Sequence, residues 1–349
     1  MSPRPLANSE ASPYGVHRAI DPKGALPQPA WRVDNDFSRL FRGEALLAVE
    51  TLNVDAASFR QMEEAAGGPD GVPARVLETV AERGKQHNPV TGSGGMLLGR
   101  VLELAPGRPK ENLAVGDRVA TLISLSLTPL VIRRITAVRP ASAQLDVEGE
   151  AVLFASSAYA KLPSDMSDRL ALAVLDVAGA APQVARLVKP GSTVLVLGAG
   201  GKSGILCAAE AKRAGAARVV GVESHEPYAE DLRGLGICDE VISADARDAA
   251  ALYERVLGAN GGREFDVSFS CVNVEGTEMS AILPTRDRGV VYFFAMSTSF
   301  TRAALGAEGV GKDVDLIIGN GYATGHAEHS LEMMRTMPKV RALFEQRYG

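Results

Sequence analysis

The chain has 349 residues, which favours two domains of ordinary size or one domain with a large insertion. Hydrophobic residues make up 46% of the sequence and charged residues 23%, a composition typical of a globular protein with a sizeable core. The formal net charge of −5 argues against a nucleic-acid-binding protein, which would carry a clustered basic face. Three widely spaced cysteines and a polar N-terminal stretch predict no disulfide framework and no secretory signal. We therefore expect a cytoplasmic protein that binds neither nucleic acid nor a membrane.

The first half of the chain is predicted to be a β-rich domain over residues 14–165, after a flexible tail over residues 1–13. Short runs of apolar or alternating residues, separated by Gly, Pro and Asn, are typical of strands. These runs lie at 44–54, 97–104, 117–123 and 131–139.

Strands alternate with helices from Thr193 onwards, and we assign residues 166–349 to a second domain. The predicted strands are 193–198, 217–223, 239–243, 265–272, 289–296 and 313–320. The predicted helices are 202–215, 226–236, 246–258, 275–285 and a closing helix that Pro338 interrupts. Strands joined by crossover helices predict an α/β fold with a doubly wound parallel sheet of the Rossmann type. The sixth strand would lie at the sheet edge, where apolar residues favour pairing with a second copy, so we expect a homodimer.

A glycine-rich turn, GAGGKSG at residues 198–204, follows the first of these strands and opens a helix. Glycines let the backbone approach a pyrophosphate closely, and the N–H groups at the start of a helix face it. Gly198 and Gly200 match the usual dinucleotide fingerprint, but Ser203 stands at the third glycine position and Gly204 follows it. The turn predicts a dinucleotide site with altered spacing, formed by Gly198, Gly200, Gly201, Lys202, Ser203 and Gly204.

Glu223 ends the second strand, where a carboxylate accepts hydrogen bonds from the adenosine ribose and repels a 2′-phosphate. We therefore predict NAD rather than NADP as the cofactor, although His225 and Arg233 nearby would soften that exclusion. Ligands of such folds collect at the carboxyl ends of the strands. The further cofactor-site predictions at these ends are Ser224, His225, Cys271, Val272, Asn273, Ala295, Met296 and Ser297. Cys271 is interpreted as a small buried residue rather than a nucleophile.

A β-rich half followed by this Rossmann half resembles the medium-chain dehydrogenase/reductase superfamily, whose first domain is GroES-like. More specifically, the chain resembles the L-erythro-3,5-diaminohexanoate dehydrogenase family of lysine fermentation. The matching stretches are 13–35, 51–59, 88–101, 270–279, 294–322 and 325–328. The resemblance implies NAD-dependent oxidative deamination of a small diamino acid. Hydride leaves the carbon that bears the 3-amino group, and hydrolysis yields 5-amino-3-oxohexanoate and ammonium. The resemblance also implies a dimer, but it does not identify the catalytic residues.

The zinc ligands of this superfamily have no counterpart in the chain. Gly94-Gly95-Met96 stands where zinc-dependent members have Gly-His-Glu, and Asn53 stands where a cysteine ligand would be sought. Amine oxidation places positive charge on the reacting carbon, so carboxylates and dipoles suit it better than a Lewis-acidic cation. We therefore predict no metal, although quinone and enoyl reductases of the superfamily lack these ligands as well. His326 and His329 are not expected to bind a metal without a third ligand.

Amine oxidation needs a base, because the substrate enters as an ammonium ion and must lose a proton before hydride leaves. Asp55 is the first candidate, since its loop matches the cofactor-facing loop of the superfamily, although a turn-capping function explains it equally well. His17, with Tyr14 nearby, is the second candidate, and Asp176 is the third.

The substrate carboxylate needs a cation, for which Arg18 and Lys23 are candidates, although ordinary surface positions would explain both. Ser93, in the polar stretch 88–96, and Glu278, after the fourth strand, are further substrate-binding candidates. The preference of Glu for helix N-termini explains Glu278 nearly as well.

Two other functions stay open at this point. A zinc-independent reductase of quinones or enoyl thioesters would use NADPH, and Glu223 is the residue that discriminates against it. A non-enzymatic dinucleotide sensor would bind the cofactor without turnover, and the acidic candidates near the site argue against it.

Overall fold

The computed structural model describes residues 3–7, 11–89, 92–108 and 113–349, with no account of the side chains of residues 56 and 57. The chain forms two compact units, Met1–Leu172 and Ala173–Gly349. The boundary between them lies a few residues beyond residue 165, where the sequence pattern placed it.

The first unit is built on an antiparallel sheet. Its described strands are β1 (Ala19–Asp21), β2 (Arg32–Val33), β3 (Ala45–Asn53), β4 (Met96–Leu104), β5 (Arg118–Thr121), β6 (Leu130–Arg139), β7 (Gln144–Leu153) and β8 (Tyr159–Lys161). The main sheet has the order β6-β7-β3-β4-β5-β8, and β1 pairs separately with β2. The central strand β3 is largely buried, which explains why its sequence is nearly continuously apolar.

Two helices that the sequence analysis did not anticipate, α1 (Ala56–Ala66) and α2 (Val72–Arg83), lie between β3 and β4. Asp55 caps α1 by accepting a hydrogen bond from the Ser58 N–H at 2.8 Å. Val72, Val76 and Val80 recur every four residues along α2 and are buried in the core of this unit. This apolar stripe anchors α2 against the sheet.

The second unit is a parallel sheet flanked by helices. Its strands are β9 (Thr193–Leu197), β10 (Arg218–Glu223), β11 (Glu240–Ser243), β12 (Phe265–Ser270), β13 (Thr285–Phe293) and β14 (Asp315–Ile318). Helix α3 (Asp168–Leu175) crosses the boundary between the units, and the later helices are α4 (Ala180–Leu187), α5 (Lys202–Arg213), α6 (Glu226–Leu235), α7 (Ala249–Ala259), α8 (Glu278–Ile282), α9 (Phe300–Gly309), α10 (His326–Thr336) and α11 (Pro338–Tyr348).

The strand order β11-β10-β9-β12-β13-β14, with every pair parallel, is that of a Rossmann fold. The predicted α/β fold class is therefore confirmed. The chain proceeds outward in both directions from the buried strand β9, so the topological switch point lies between β9 and β12. Ligands of this fold bind there, outside the carboxyl ends of the strands.

In the second unit, local differences from the sequence prediction fall after α7. Strand β13 begins at Thr285, earlier than expected, and α9 was not predicted. The predicted interruption at Pro338 is confirmed, because α10 ends at Thr336 and α11 begins at Pro338. Strand β14 lies at the sheet edge and exposes Ile318, while the expected homodimer stays a prediction.

In the part of the chain that the structure describes, no single helix has the length and apolar composition needed to cross a membrane. Helices α3 and α4 together meet those two criteria, but the chain bends by 44° between them.

The described residues near the N-terminus lie against the β-rich unit, which differs from the flexible tail expected for residues 1–13. Leu6 forms a bridge with Leu40, and the Arg4 N–H donates to Glu103 at 2.9 Å. The Arg4 guanidinium also pairs with Glu150 at 2.8 Å. These contacts tie the segment 3–7 to the sheet.

Arg18 is a structural cation and not a substrate-binding residue. Its side chain is 0% exposed and donates two hydrogen bonds to Glu44, at 2.6 Å from Nε and 2.8 Å from Nη2. The guanidinium also lies over the Phe37 and Phe41 rings, 5.3 and 4.9 Å from their centroids. The predicted contact between Arg18 and a substrate carboxylate is therefore wrong, because the buried guanidinium already donates hydrogen bonds to Glu44.

His17 belongs to the same buried cluster. Its Nδ1 accepts a hydrogen bond from the Ser12 N–H at 3.1 Å, so the neutral ring carries its proton on Nε2 and donates it to Glu44 at 3.0 Å. The ring also packs against Phe41 and Phe154. Both nitrogens are engaged in holding the fold together, so the structure does not support His17 as the catalytic base.

Replacing Glu44 with Ala should lower the free energy of unfolding by about 3–5 kcal/mol, because Arg18 would stay buried without its closest counter-ion and would keep only Asp34, at 3.6 Å. Burial raises the pKa of Glu44, but the hydrogen bonds from Arg18 and His17 outweigh burial and hold the pKa below its usual 4.5. The ion pair therefore stabilises the fold fully above that pH, and the stabilisation is lost as pH falls through the lowered pKa.

Urea denaturation of the wild type, Glu44→Ala and Glu44→Gln measures this effect. The Gln variant keeps one acceptor oxygen and should lose less stability than the Ala variant. The difference between wild type and Glu44→Ala should shrink on acidification below the usual carboxyl pKa. Equal stability of all three proteins at neutral pH would contradict the assignment.

Candidate functional site

The glycine-rich stretch 198–204 favours glycine at three positions, one for its backbone conformation and two for lack of space. Gly198 has φ of 68°, in the left-handed region that glycine tolerates. A Cβ at Gly200 would lie 2.7 Å from the Tyr228 Cβ and 2.8 Å from a Glu223 carboxylate oxygen. A Cβ at Gly204 would lie 2.1 Å from the Gly198 carbonyl oxygen.

These contacts explain the altered spacing of the fingerprint. The third glycine of the usual motif allows a helix to pack closely on the preceding strand. Gly204 fills that requirement here, one position later than usual, so Ser203 is free of the steric constraint. The turn therefore fits a pyrophosphate, because α5 begins at Lys202 and its first N–H groups have no acceptor within the helix.

A cavity of about 460 Å³ opens at the carboxyl ends of β9, β10, β11 and β12, the strands around the switch point. It brings together the predicted residues Gly198, Gly201, Glu223, Ser224, Cys271, Val272 and Asn273. It also contains residues that the sequence analysis missed, namely Tyr228, Ala244, Asp245, Ala246, Arg247 and Val274. Tyr228 lies on α6, Val274 follows β12, and the other missed residues follow β11. The rule that ligands collect at strand ends would have found the residues after β11 and β12.

The Glu223 carboxylate joins the turn to the end of β10. One of its oxygens accepts a hydrogen bond from the Gly200 N–H at 3.0 Å, and the other accepts one from the His225 N–H at 3.0 Å. Each carboxylate oxygen has a second lone pair, which a ribose hydroxyl can use. The position suits an adenosine ribose, and the negative charge disfavours a 2′-phosphate.

Two arginines on the side of the cavity formed by β11 and α6 are already paired with carboxylates. Arg247 binds Asp245 through Nε at 2.9 Å, and this hydrogen bond lowers the pKa of Asp245 to about 2. Arg233 binds Glu226 at 2.6 Å. A 2′-phosphate would therefore have to displace a carboxylate to reach either guanidinium.

Asp176 and Lys202, predicted separately as a catalytic residue and a cofactor-site residue, form an ion pair of 2.7 Å. Asp176 follows the last residue of α3, and Lys202 is the first residue of α5. The Tyr348 ring lies 5.4 Å from the Lys202 amino group. A carboxylate is thus held at the start of the phosphate-facing helix.

The segment after β13 lies beside the end of β12. The Ser297 hydroxyl donates to the Val272 carbonyl at 3.2 Å, and the Ala295 N–H donates to the Ser270 carbonyl at 3.3 Å. Met296 is 78% exposed. None of these three predicted residues lines the cavity described above.

Cys271 lines the cavity, and its sulfur lies 3.8 Å from that of the buried Cys207. Its N–H donates to the Leu197 carbonyl at 2.9 Å, which places the end of β12 against the glycine-rich turn. Cys271 is half-buried rather than buried.

Glu278 is not a substrate-binding residue. Its side chain is buried, and it accepts a hydrogen bond from the Ser299 N–H at 2.7 Å. Ser299 caps α9 by accepting from the Arg302 N–H at 3.3 Å. Glu278 therefore fixes the start of α9, and no substrate can reach it.

In the β-rich unit, Gly94 and Gly95 are required by backbone packing. A Cβ at Gly94 would lie 2.3 Å from the Gln86 carbonyl oxygen, and a Cβ at Gly95 would lie 2.2 Å from the Asn53 carbonyl oxygen. A histidine at position 95 would therefore overlap the end of β3. The Asn53 side chain is buried and accepts from Gln144 at 3.1 Å. Within the described ranges, no three His, Cys, Asp or Glu side chains lie close enough to hold a metal ion.

The other predicted residues of this unit have mixed surroundings. Asp55 caps α1 with one oxygen, while its Oδ2 is buried and accepts no hydrogen bond among the described residues. Ser93 accepts a hydrogen bond from the Gly95 N–H at 3.2 Å. Tyr14 and Lys23 are exposed. The functions predicted for these four residues stay predictions.

A second cavity, of about 310 Å³, lies in the β-rich unit beside His87, a residue that the sequence analysis did not single out. Burial and the nearby cations Lys85 and Arg83 lower the pKa of His87 to about 4. The Lys85 amino group is itself buried, donates to the Gln28 carbonyl at 2.9 Å and has a pKa lowered by burial to about 8. His87 is therefore neutral at physiological pH. Its burial depends on residues that are distant in sequence, so no local sequence pattern singled it out.

Comparison with known proteins identifies close relatives over nearly the whole chain. Residues 17–163 match the family model described as the L-erythro-3,5-diaminohexanoate dehydrogenase N-terminal domain, and residues 203–306 match one described as zinc-binding dehydrogenase. The L-erythro-3,5-diaminohexanoate dehydrogenase of Acetoanaerobium sticklandii is 55% identical, covering 96% of this chain and 98% of the relative. The enzyme of the same name from Fusobacterium nucleatum is 49% identical over the same shares of the two chains.

Solved structures show the same fold at low sequence identity. The quinone oxidoreductase of Escherichia coli superposes with a TM-score of 0.53 and 17% identity, covering 86% of this chain and 80% of that one. A quinone oxidoreductase of Pseudomonas syringae superposes with a TM-score of 0.55 and 19% identity, covering 84% of this chain and 80% of that one. These similarities support the fold alone.

Gly204→Ala should weaken the binding of NADH by at least about tenfold, because the new methyl group would force the start of α5 away from the turn. Gly258→Ala is the matched control, since Gly258 lies on α7 outside the cavity lining, and a Cβ there would meet nothing within 4 Å. Fluorescence titration with NADH measures both affinities. Similar affinities for the two variants would show that close helix packing at Gly204 does not shape the site.

Proposed function

Because the chain belongs to the L-erythro-3,5-diaminohexanoate dehydrogenase family, we propose that it oxidatively deaminates L-erythro-3,5-diaminohexanoate with NAD as the oxidant. The products are 5-amino-3-oxohexanoate, ammonium and NADH, with water consumed and a proton released. The observation that carries this proposal is the cavity at the switch point of the second unit, with the Glu223 carboxylate at the end of β10. The family relation supports an oxidoreductase that uses a nicotinamide dinucleotide.

The electrostatics around Glu223 support NAD over NADP. The carboxylate is held in place by two backbone N–H groups, and the neighbouring Arg247 and Arg233 are neutralised by Asp245 and Glu226. A 2′-phosphate would meet the Glu223 charge without an unpaired cation from either arginine. Like charges brought this close cost several kcal/mol.

The residues also suit the charge that amine oxidation creates. When bound, NAD accepts the hydride. The chain must then stabilise an iminium carbon and remove protons from the amine, which carboxylates do better than cations. Asp176 lies beside the first residue of α5, where the 2.7 Å pair with Lys202 fixes its position. We assign to Asp176 the removal of the ammonium proton, and to Lys202 the orientation of that carboxylate.

An assay of the purified protein with L-erythro-3,5-diaminohexanoate should yield NADH and ammonium in equal amounts. The kcat/KM with NAD should exceed that with NADP by about 100-fold, because of the charge on Glu223. Glu223→Gln, which keeps the shape and removes the charge, should narrow that ratio. Activity should survive chelators. NADPH oxidation by quinones or enoyl thioesters, without amine turnover, would instead support a reductase.

Asp176→Asn should lower kcat by about 10²–10⁴-fold, the usual contribution of a general base, while NADH affinity changes little. Asp55→Asn is the comparison variant, because Asp55 is the other candidate carboxylate and caps a helix in the other unit. The wild-type rate should rise on the alkaline side of neutrality, as the substrate ammonium deprotonates. If kcat fell strongly in Asp55→Asn and stayed at the wild-type value in Asp176→Asn, Asp55 would be the general base instead.

A further inference from the structure

The end of the last helix, α11, contacts the glycine-rich turn through Arg347. The Nη1 of Arg347 donates to the Gly200 carbonyl at 2.7 Å. Its Nε donates to Asp231 on α6 at 3.2 Å, and its guanidinium carbon lies 4.0 Å above the centre of the Tyr228 ring. The side chain is only 10% exposed. A buried guanidinium thus joins three partners from two other parts of the unit.

Two of these partners belong to the cofactor site. Gly200 lies in the turn that faces the pyrophosphate, and its N–H is held by Glu223 at 3.0 Å. Tyr228 lines the cavity and packs edge-on against His225. The third partner, Asp231, does not line the cavity and only fixes the guanidinium.

The hydrogen bond from Arg347 to the Gly200 carbonyl fixes the plane of the Gly200–Gly201 peptide. Glycine has more backbone freedom than any other residue, so an unsupported Gly-Gly peptide would sample orientations that point the carbonyl oxygen towards the ligand. Arg347 keeps the Gly200 carbonyl oxygen pointing towards α11. The N–H of the same peptide, on Gly201, is directed towards the Gly198 carbonyl at 3.3 Å. An anionic pyrophosphate would be repelled by a carbonyl oxygen and attracted by N–H groups.

We propose that Arg347 is a positioning residue for the dinucleotide. From the C-terminal helix α11, it holds the glycine-rich turn and the Tyr228 side chain in the arrangement that the ligand needs. It lowers the cost of ordering these groups when the cofactor binds. The neighbouring Tyr348 supports the same arrangement, because its ring lies 5.4 Å from Lys202 and packs against the buried Phe344. The proposal rests on the proposed function only for the identity of the ligand, a nicotinamide dinucleotide.

Fluorescence titration of the full-length protein with NADH tests the proposal. Arg347→Ala should raise the Kd for NADH by about tenfold, the usual effect of losing one charge-assisted hydrogen bond and a stacked ring. Arg347→Lys keeps the charge but not the planar fork, so it should raise the Kd less. Arg341→Ala is the matched control, since Arg341 lies on the same helix and pairs with Glu345 at 2.8 Å. It should bind NADH like the wild type.

Asp231→Asn separates positioning from direct contact with the ligand. If Arg347 acts by being held in place, Asp231→Asn should also weaken NADH binding, and the double variant Arg347→Ala/Asp231→Asn should bind no more weakly than Arg347→Ala alone. If Arg347 contacts a phosphate directly, loss of the competing Asp231 charge should strengthen binding, which would overturn the proposal. Thermal melting checks that each variant is folded. If Arg347→Ala does not fold, the NADH affinities of Arg347→Lys and Asp231→Asn test the proposal instead.

The outcomes also separate this inference from the proposed function. A wild-type protein that does not bind NADH would contradict the proposed function. Wild-type binding of NADH with equal affinity in Arg347→Ala and Arg341→Ala would contradict the positioning assignment alone.

Discussion

Backbone packing at the glycine-rich turn is the constraint on which the second unit's site depends. The Gly198 carbonyl and the first turn of α5 approach so closely that position 204 can hold no side chain, and Glu223 occupies the space beside Gly200. This contact places the helix N–H groups and the β10 carboxylate around one cavity. The glycine-rich turn and the Glu223 carboxylate thus form one hydrogen-bonded unit rather than two neighbouring features.

The same constraint operates in the β-rich unit, with a different consequence. Gly94 and Gly95 lie against the carbonyl oxygens of Gln86 and Asn53, which leaves no room for the ligands that zinc-dependent relatives carry there. Backbone atoms fill the space that such side chains would need.

Local patterns predicted the fold class and the cofactor turn because those features arise from short-range chemistry. The turn, strand β9 and helix α5 are adjacent in sequence, and Glu223 follows from its place at the end of β10. Helices α1 and α2 were missed because their apolar stripe is narrow and the flanking strands dominated the pattern. Tyr228 was missed because it lies on α6 rather than at a strand end, and only the folded unit brings it to the cavity.

The sequence by itself determined the α/β class, the alternation of strands and helices in the second unit, the glycine-rich turn and the acidic residue at the end of β10. Each of these depends on residues a few positions apart, whose spacing dictates their geometry. Only the tertiary structure decided what the individual charges do. Arg18 and His17 meet Glu44, Glu278 meets Ser299, and Arg347 meets Gly200, all across long stretches of chain. Burial makes each pairing strong, and burial is a property of the packed unit that no local pattern contains.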